Sequence, residues 1–391
     1  MNSSGRLLVL RLATLDAIPV ALWQTQIFQE KNLKPLVVEY GSSTPSRGDY
    51  ERVHWDTRWA RWLPQPLRAL SVWFWVFLKL HTNFVLYGPP REIVSHGLQE
   101  SLLAYALSFF WNVPYVCDVH EVYEPREMRG TNRFFFWFEG PALRKARLLI
   151  FPERNRLRLY QKRYGLNQAA FTVFNCPRRE ATERTAFSPS LLRAELGLAA
   201  SDRVLLYLGG IGTGSCLEPA VAALRYDTRL HLLLVGWADP DVLYRLRELC
   251  EIFEVKDRVH FCGPSRDRWK YFAIADASYC IYRDHILRLR LAATASNKLM
   301  ESLAAGVPVI SLRGGGFEAL VQSKGVGICL ESANPKQIAE AVSALSASGV
   351  GTRERAQAIH QTALNYDQQF EPVLRHFLYE HRPLDGRFSP S

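Results

Sequence analysis

Residues 294–320 read TASNKLMESLAAGVPVISLRGGGFEAL. Ser296 is a residue type that caps a helix N-terminus, because its side-chain oxygen accepts from N–H groups one turn on. The spacing predicts a helix from there to Ala305, stopped by Gly306 and by Pro308 just beyond. Leu299 and Leu303 cover the buried side, while Lys298 and Glu301 lie three apart on another face. Val307–Ser311 reads as a buried strand that opens into Gly314-Gly315-Gly316. The positive end of a helix with a lysine beside it suits a diphosphate, and a carboxylate one turn further can accept from both hydroxyls of a ribose. Consecutive glycines expose backbone N–H groups and let a ligand approach closely. An isolated Lys-x-x-Glu pair is an ordinary surface ion pair; next to a glycine turn one strand away it is a candidate nucleotide site.

Outward from this stretch, short apolar runs alternate with helix-period segments. Strands are predicted at 7–10, 35–38, 92–95, 115–118, 148–151 and 171–174, then at 204–208, 231–235, 259–262, 277–282, 307–311 and 327–330. Strands apolar on both faces and separated by helices imply parallel sheets covered on both sides. Two series imply two doubly wound domains, 1–177 and 201–365, joined by a polar linker over 178–200. In such sheets ligands sit beyond the carboxyl ends of the strands, so the loops there carry the chemistry.

Composition narrows the class. Of 391 residues 48% are hydrophobic and 22% charged, which excludes a disordered or collagen-like chain. Seven scattered cysteines without a C-x-x-C read as small buried hydrophobes, with neither a zinc site nor a disulfide framework. The net charge of +10 is uneven: residues 1–180 hold 24 Lys and Arg against 15 acids, and eight of the ten tryptophans. Residues 126–163 alone hold eleven cations and three acids, with Phe134-Phe135-Phe136-Trp137-Phe138 among them. Upstream, Trp55, Trp59 and Trp62 alternate with Arg52, Arg58 and Arg61 at helical spacing. Aromatic rings flanked by arginine suit an anionic membrane surface; the competing reading makes the rings core and the arginines a solvated face. The most apolar stretch, 70–88, is interrupted by Lys79, His81 and Asn83, so no spanning segment is expected. No nucleic-acid module is apparent, and nucleic acid is not an expected partner.

The stretch NKLMESLAAGVPVI with its following GGG resembles the donor-site signature of glycosyltransferase family 4, whose members have the α/β GT-B fold of two doubly wound Rossmann-like domains facing across a cleft. VCDVHEVYE (116–124), TVFNCP (172–177), VLLYLGGIG (204–212), LLLVGWADPDVLYRL (232–246) and DRVHFCGP (257–264) follow that family's order, and YDQQFEPVLRHFLY (366–379) is similar to its final helix, which returns to the first domain. The resemblance implies a retaining glycosyltransferase that moves a sugar from a nucleotide-diphosphate sugar, UDP- or GDP-linked, without metal or other cofactor. It implies catalytic roles for His120, Lys298 and Glu301, donor contacts from Gly209, Gly210, Gly212, Ser296, Asn297, Lys298, Glu301, Gly314, Gly315 and Gly316, and a cleft position on the acceptor side for His120. Asp16, His96 and Glu121 are further candidates for the acceptor side. Two departures stand out. Ala293 occupies a position where many members carry glutamate, and the loop GGIGTGSCLE (209–218) has no cation. An unneutralised diphosphate is costly to enclose, so Arg283, Arg288 and Arg290 are the expected replacements. With a basic aromatic first half, the expected acceptor is lipid-linked or saccharide, met at the cytoplasmic face of a membrane by a peripheral protein. A GT-B binding protein that has lost catalysis is the alternative.

Overall fold

The computed structural model describes all residues except 1–4, 13–17, 42–49, 129–130, 180–187, 266, 284, 349 and 380–391. The chain forms two compact units, the first from residues 1–173 and 366–391, the second from 174–365.

The first unit is built on a seven-stranded sheet: β1 (Leu7–Leu12), β2 (Pro35–Gly41), β3 (Glu51–Asp56), β4 (Glu92–His96), β5 (Tyr115–Asp118), β6 (Leu148–Phe151) and β7 (Ala169–Thr172). Its helices are α1 (Pro19–Glu30), α2 (Gln65–Tyr87), α3 (Leu98–Trp111), α4 (Thr131–Lys145) and α5 (Arg154–Tyr164). The second unit holds β8 (Arg203–Leu208), β9 (Leu230–Val235), β10 (Val259–Gly263), β11 (Ala277–Tyr279), β12 (Val309–Leu312) and β13 (Gly327–Leu330). Its helices are α6 (Pro189–Glu195), α7 (Glu218–Ala223), α8 (Pro240–Ile252), α9 (Trp269–Phe272), α10 (Leu287–Arg290), α11 (Asn297–Ala304), α12 (Pro335–Ala347) and α13 (Val350–Thr362). The last helix, α14 (Tyr366–Tyr379), belongs to the first unit.

Every strand pairing is parallel, in the orders β3-β2-β1-β4-β5-β6-β7 and β10-β9-β8-β11-β12-β13. Strand order reverses between β1 and β4 and again between β8 and β11, which marks a ligand position in each sheet. The central strands are apolar on both faces because helices cover both: all of β2 and all of β9 are buried. α14 closes the first core, where Phe370 and Phe377 meet Phe28 edge-on at 5.7 and 5.0 Å and Tyr366 lies 5.7 Å from Trp23.

The differences from expectation have local causes. β3 was not foreseen because it is an edge strand, E-R-V-H-W-D, half exposed and without an apolar run. β12 starts at Val309 rather than Val307: the Val307 N–H donates back to Ser302 O at 2.7 Å, and Pro308 has no N–H to offer. β11 stops at Tyr279, so Cys280–Tyr282 run on beyond the sheet. The segment taken as a linker is partly core: α6 lies within it, and Leu192 and Leu198 pack among the buried residues of the second unit. Trp55, Trp59 and Trp62 do not share a helix, since Trp55 is on β3 and the other two lie in a 3₁₀ turn at Arg58–Trp62. All seven cysteines are free thiols.

Candidate active site

The loops after β8, β11 and β12, three neighbouring strands, meet at the start of α11. Ser296 caps α11 as predicted: its Oγ accepts from Leu299 N at 3.2 Å and lies 2.6 Å from Tyr282 Oη. Asn175 fixes the turn before it, its backbone N–H donating to Thr294 O and its Nδ2 to Ala295 O, both at 2.9 Å. Seven residues of α11 are buried, Lys298 and Glu301 among them.

Lys298 and Glu301 do not pair with each other. The Lys298 ammonium lies over two rings, 3.8 Å from the Tyr207 centroid and 4.5 Å from that of Tyr282. Burial alone would pull its pKa down; Tyr207, Tyr282 and Cys280 outweigh that, and the net direction is upward. Its Nζ has no hydrogen-bond partner among the described residues. A buried cation that lies over two rings and meets no anion among the described residues is suited to receive one. Glu301 is only 1% exposed, with Oε1 2.6 Å from the guanidinium of Arg268. Burial pushes its carboxyl up to about 7 against the opposing pull of Arg268. Arg268, from the loop after β10, is a cation of this site that the sequence reading missed; its signal was its place beyond the carboxyl end of a strand.

The glycines divide by what they touch. Gly315 has φ +59°, and a Cβ there would lie 2.0 Å from Arg290 O, so it is required by the packing of its turn on α10. Gly314 (φ +90°) faces open space. In the loop after β8, Gly210 O accepts from Tyr207 Oη at 2.6 Å, tying Gly209 and Gly210 to the ring under Lys298, while Gly212 has open space where a side chain would stand. Arg283 reaches this loop, but not as a free cation: its Nε donates to Thr213 O at 2.5 Å and its Nη2 to Glu218 Oε1 at 2.7 Å. Its charge is therefore met by Glu218. Arg288 and Arg290 lie on α10, whose Leu289 side chain packs against Gly214. Asn297 begins α11 with a buried Oδ1 that has no partner among the described residues.

The first unit carries a second cluster at its own reversal point. His96 ends β4, and Asp118 ends β5 with His120 two residues on. The two imidazoles are stacked, centroids 5.3 Å apart, with His96 Nδ1 3.1 Å from His120 Nε2. Asp118 lies 3.5 Å from His96 and 3.9 Å from His120, and accepts from Gln24 Nε2 at 3.3 Å. Burial, then His120 and Arg11, holds His96 well below the usual imidazole range; burial, then Arg11 and Arg156, lowers His120 to about 3. Burial raises Asp118 to about 7. At neutral pH both rings are uncharged. The three residues offer ligand atoms within 4.8 Å of one another, a spacing that a metal ion could use, although the ring nitrogens already engage each other. His96 is fully buried and serves as backing for His120 rather than as a surface of its own. Glu121 turns outward, 48% exposed and 3.9 Å from Arg156, and does not join the cluster. Asp16 lies outside the described residues.

The fold and these sites define an α/β protein of the GT-B class, two Rossmann-like domains each with a site where its strand order reverses. Within it, residues 203–348 match the sequence model of the family described as Glycosyl transferases group 1. That span contains Tyr207, the loop after β8, Lys298, Glu301 and the three-glycine turn. Among solved structures, Anabaena HepE in complex with UDP and glucose is similar, with TM-score 0.75 and 15% identity over 96% of this chain and 99% of that one. Sucrose-phosphate synthase from Thermosynechococcus elongatus gives TM-score 0.73 and 16% identity over 96% and 100%. WaaG, a glycosyltransferase involved in lipopolysaccharide biosynthesis, gives 0.68 and 14% over 94% and 98%. Comparison with curated protein sequences found no match.

Proposed function

We propose that this protein is a retaining glycosyltransferase that takes a hexose from a UDP- or GDP-sugar and passes it to a lipid-linked or saccharide acceptor, working at the cytoplasmic face of a membrane. The observation that carries this reading is Lys298: a buried ammonium without a hydrogen-bond partner among the described residues, in the first turn of a helix, three residues before a buried carboxylate. Its role is to meet the charge that gathers on the departing nucleoside diphosphate, a fixed cation in a dry site being worth far more there than in water. Glu301 accepts from the ribose hydroxyls, and Arg268 steadies it. The backbones of Gly209, Gly210, Gly212 and Gly314–Gly316 line the donor, as do Ser296 and Asn297, with Arg288 and Arg290 on α10 nearby. His120 offers a neutral imidazole edge to sugar hydroxyls, since a ring whose pKa is held at about 3 does not deliver protons at neutral pH. The chemistry requires no metal or other cofactor in this reading. HepE, crystallised with UDP and glucose, supports a uridine donor.

The test is nucleotide release from UDP-glucose and GDP-mannose, with thermal stabilisation by UDP and GDP measured in parallel. Stabilisation by one nucleotide, lost in Glu301→Ala, together with nucleotide release, supports the proposal. Stabilisation without release, with or without added lipid, favours the catalytically silent reading, for which Ala293 and the neutralised Arg283 speak.

A further inference from the structure

Three helices of the first unit, α2, α3 and α4, pack on one another and leave an apolar surface uncovered. In α2 the residues Val72, Val76, Leu80 and Phe84, spaced by four, are buried. Leu67, Phe74, Leu78 and Val85, spaced by seven, four and seven, form the opposite stripe and are all exposed. Phe77 of α2, 6.5 Å from Phe74, lies 5.7 Å from Phe110 at the end of α3, where Phe109 and Phe110 are 79% and 60% exposed; on α4 Trp137 is 67% exposed. Trp62, just before α2, is 79% exposed. A surface helix of an ordinary globular unit presents polar residues on its outer face; this one presents aliphatic and aromatic groups on both.

We propose that this face of α2, α3 and α4 lies in the interfacial layer of an anionic lipid bilayer, with α2 along the membrane plane. The charge pattern selects that occupant. α2 contains no acid, and the acids of α3 and α4, Glu100 and Glu139, are buried against Arg11 and against Tyr160 and Tyr164. The cations among the aromatics stay outward: Arg61 over Trp62 at 4.9 Å, Lys79 over Trp75 at 5.5 Å, Arg133 over Trp137 at 5.9 Å. None of the three forms an ion pair among the described residues. Rings at headgroup depth with cations beside them are what an anionic leaflet receives.

α2 is long and apolar enough to cross a membrane by length and composition. Crossing would strip its buried stripe from the rest of the first unit, whereas lying flat uses only the stripe already outside. The surface also differs from the one foreseen from sequence. Trp55 and Trp59 turn onto Trp75, at 6.0 and 5.7 Å. Several cations of the basic window point elsewhere: Arg147 pairs with Glu92, Arg156 is buried, and Arg163 donates to Tyr123 O. An apolar groove of about 440 Å³ between β3 and α2, lined by Trp55, Trp75, Leu78 and Leu86 with Lys79 beside them, gives a lipid chain a place next to that face.

The proposal does not depend on the donor site, and its test is kept separate. The full chain is sedimented with phosphatidylglycerol vesicles and with phosphatidylcholine vesicles, and its oligomeric state is measured by light scattering. Binding to the anionic vesicles at least about tenfold stronger than to the neutral ones is expected. Phe109→Ser with Trp137→Ser should lower it by about tenfold or more, and Lys79→Glu with Arg133→Glu should abolish the preference for anionic lipid. Each variant must keep the wild-type thermal midpoint, so that misfolding is not read as lost binding; for a variant that does not, quenching of wild-type tryptophan by brominated phosphatidylglycerol is the substitute reading, and its absence counts against the proposal. Absence of vesicle binding by the wild type overturns it. So does a dimer that Phe109→Ser with Trp137→Ser dissolves without any vesicle binding, which would make this face a contact between copies.

Discussion

Glu301 holds its proton to about neutrality when buried beside Arg268, against an ordinary value of 4.5. Between those values the folded protein binds more protons than the unfolded chain, so stability falls as pH rises from about 4.5 to 7 and is level above. A shift of this size corresponds to up to about 3 kcal/mol. Glu301→Gln should remove that slope and raise the urea midpoint of the nucleotide-free protein above pH 7. Ribose hydroxyls donate to the ionised form, so UDP affinity should strengthen from pH 6 to 8 in the wild type and lose that dependence in Glu301→Gln, read by calorimetry. Lys298→Met makes the complementary case. Removing a cation that two rings hold in its charged form costs the fold modestly, so the thermal midpoint should fall slightly, while nucleotide affinity falls by about 2 kcal/mol, on the order of thirtyfold. A midpoint that drops with unchanged affinity would make Lys298 a packing residue.

The helix α11 and the turns around it were legible in sequence because each rests on local chemistry: a serine cap, a Gly and Pro stop, three glycines after a strand. The edge strand β3 and the cation Arg268 were not, because neither is marked by periodicity. β3 is held by pairing with β2, and Arg268 matters only through the fold that brings it to Glu301. Arg283 was found by position but not in role, since the Glu218 that neutralises it lies 65 residues away. The turn after β12 gives a test at this scale. Ala at Gly314 or at Gly315 meets a positive φ, costing about 1–2 kcal/mol, but only at Gly315 does the new Cβ collide with a backbone carbonyl, Arg290 O. Gly315→Ala should therefore destabilise the second unit by more than Gly314→Ala and displace α10, visible as changed exchange of the 286–291 amides. Equal effects would mean that Arg290 yields freely.

Across the whole molecule the two units share a plan and differ in surface. Each sheet reverses its strand order beside a cluster of buried titratable groups, and the uncovered apolar face of α2 and α3 belongs to the first unit. In that unit His96 and His120 refuse protons that their unfolded counterparts accept below about 6.5, which removes stability as pH falls, while Asp118 beside them, raised to about 7, takes up a proton and offsets part of that loss. His120→Asn should therefore make the amide protection of the first unit less sensitive to acid below about pH 6.5; an unchanged profile would show that the imidazole does not govern it. Phe370→Ala, at the edge-on contact with Phe28, should cost about 3–5 kcal/mol and act on the same unit.

The return of α14 to the first unit also sets an order of events during synthesis. Trp23 and Phe28 emerge from the ribosome long before the rings that cover them, Tyr366, Phe370 and Phe377. Everything from 174 to 365 is translated in between, roughly ten to forty seconds at ordinary elongation rates. The nascent first unit must wait that long with one side of its core open, while the second unit, whose segment is continuous, can finish first. A ribosome that stops before residue 366 releases a chain with a completed second unit and an apolar wound in the first, a species that chaperones and proteases are equipped to find.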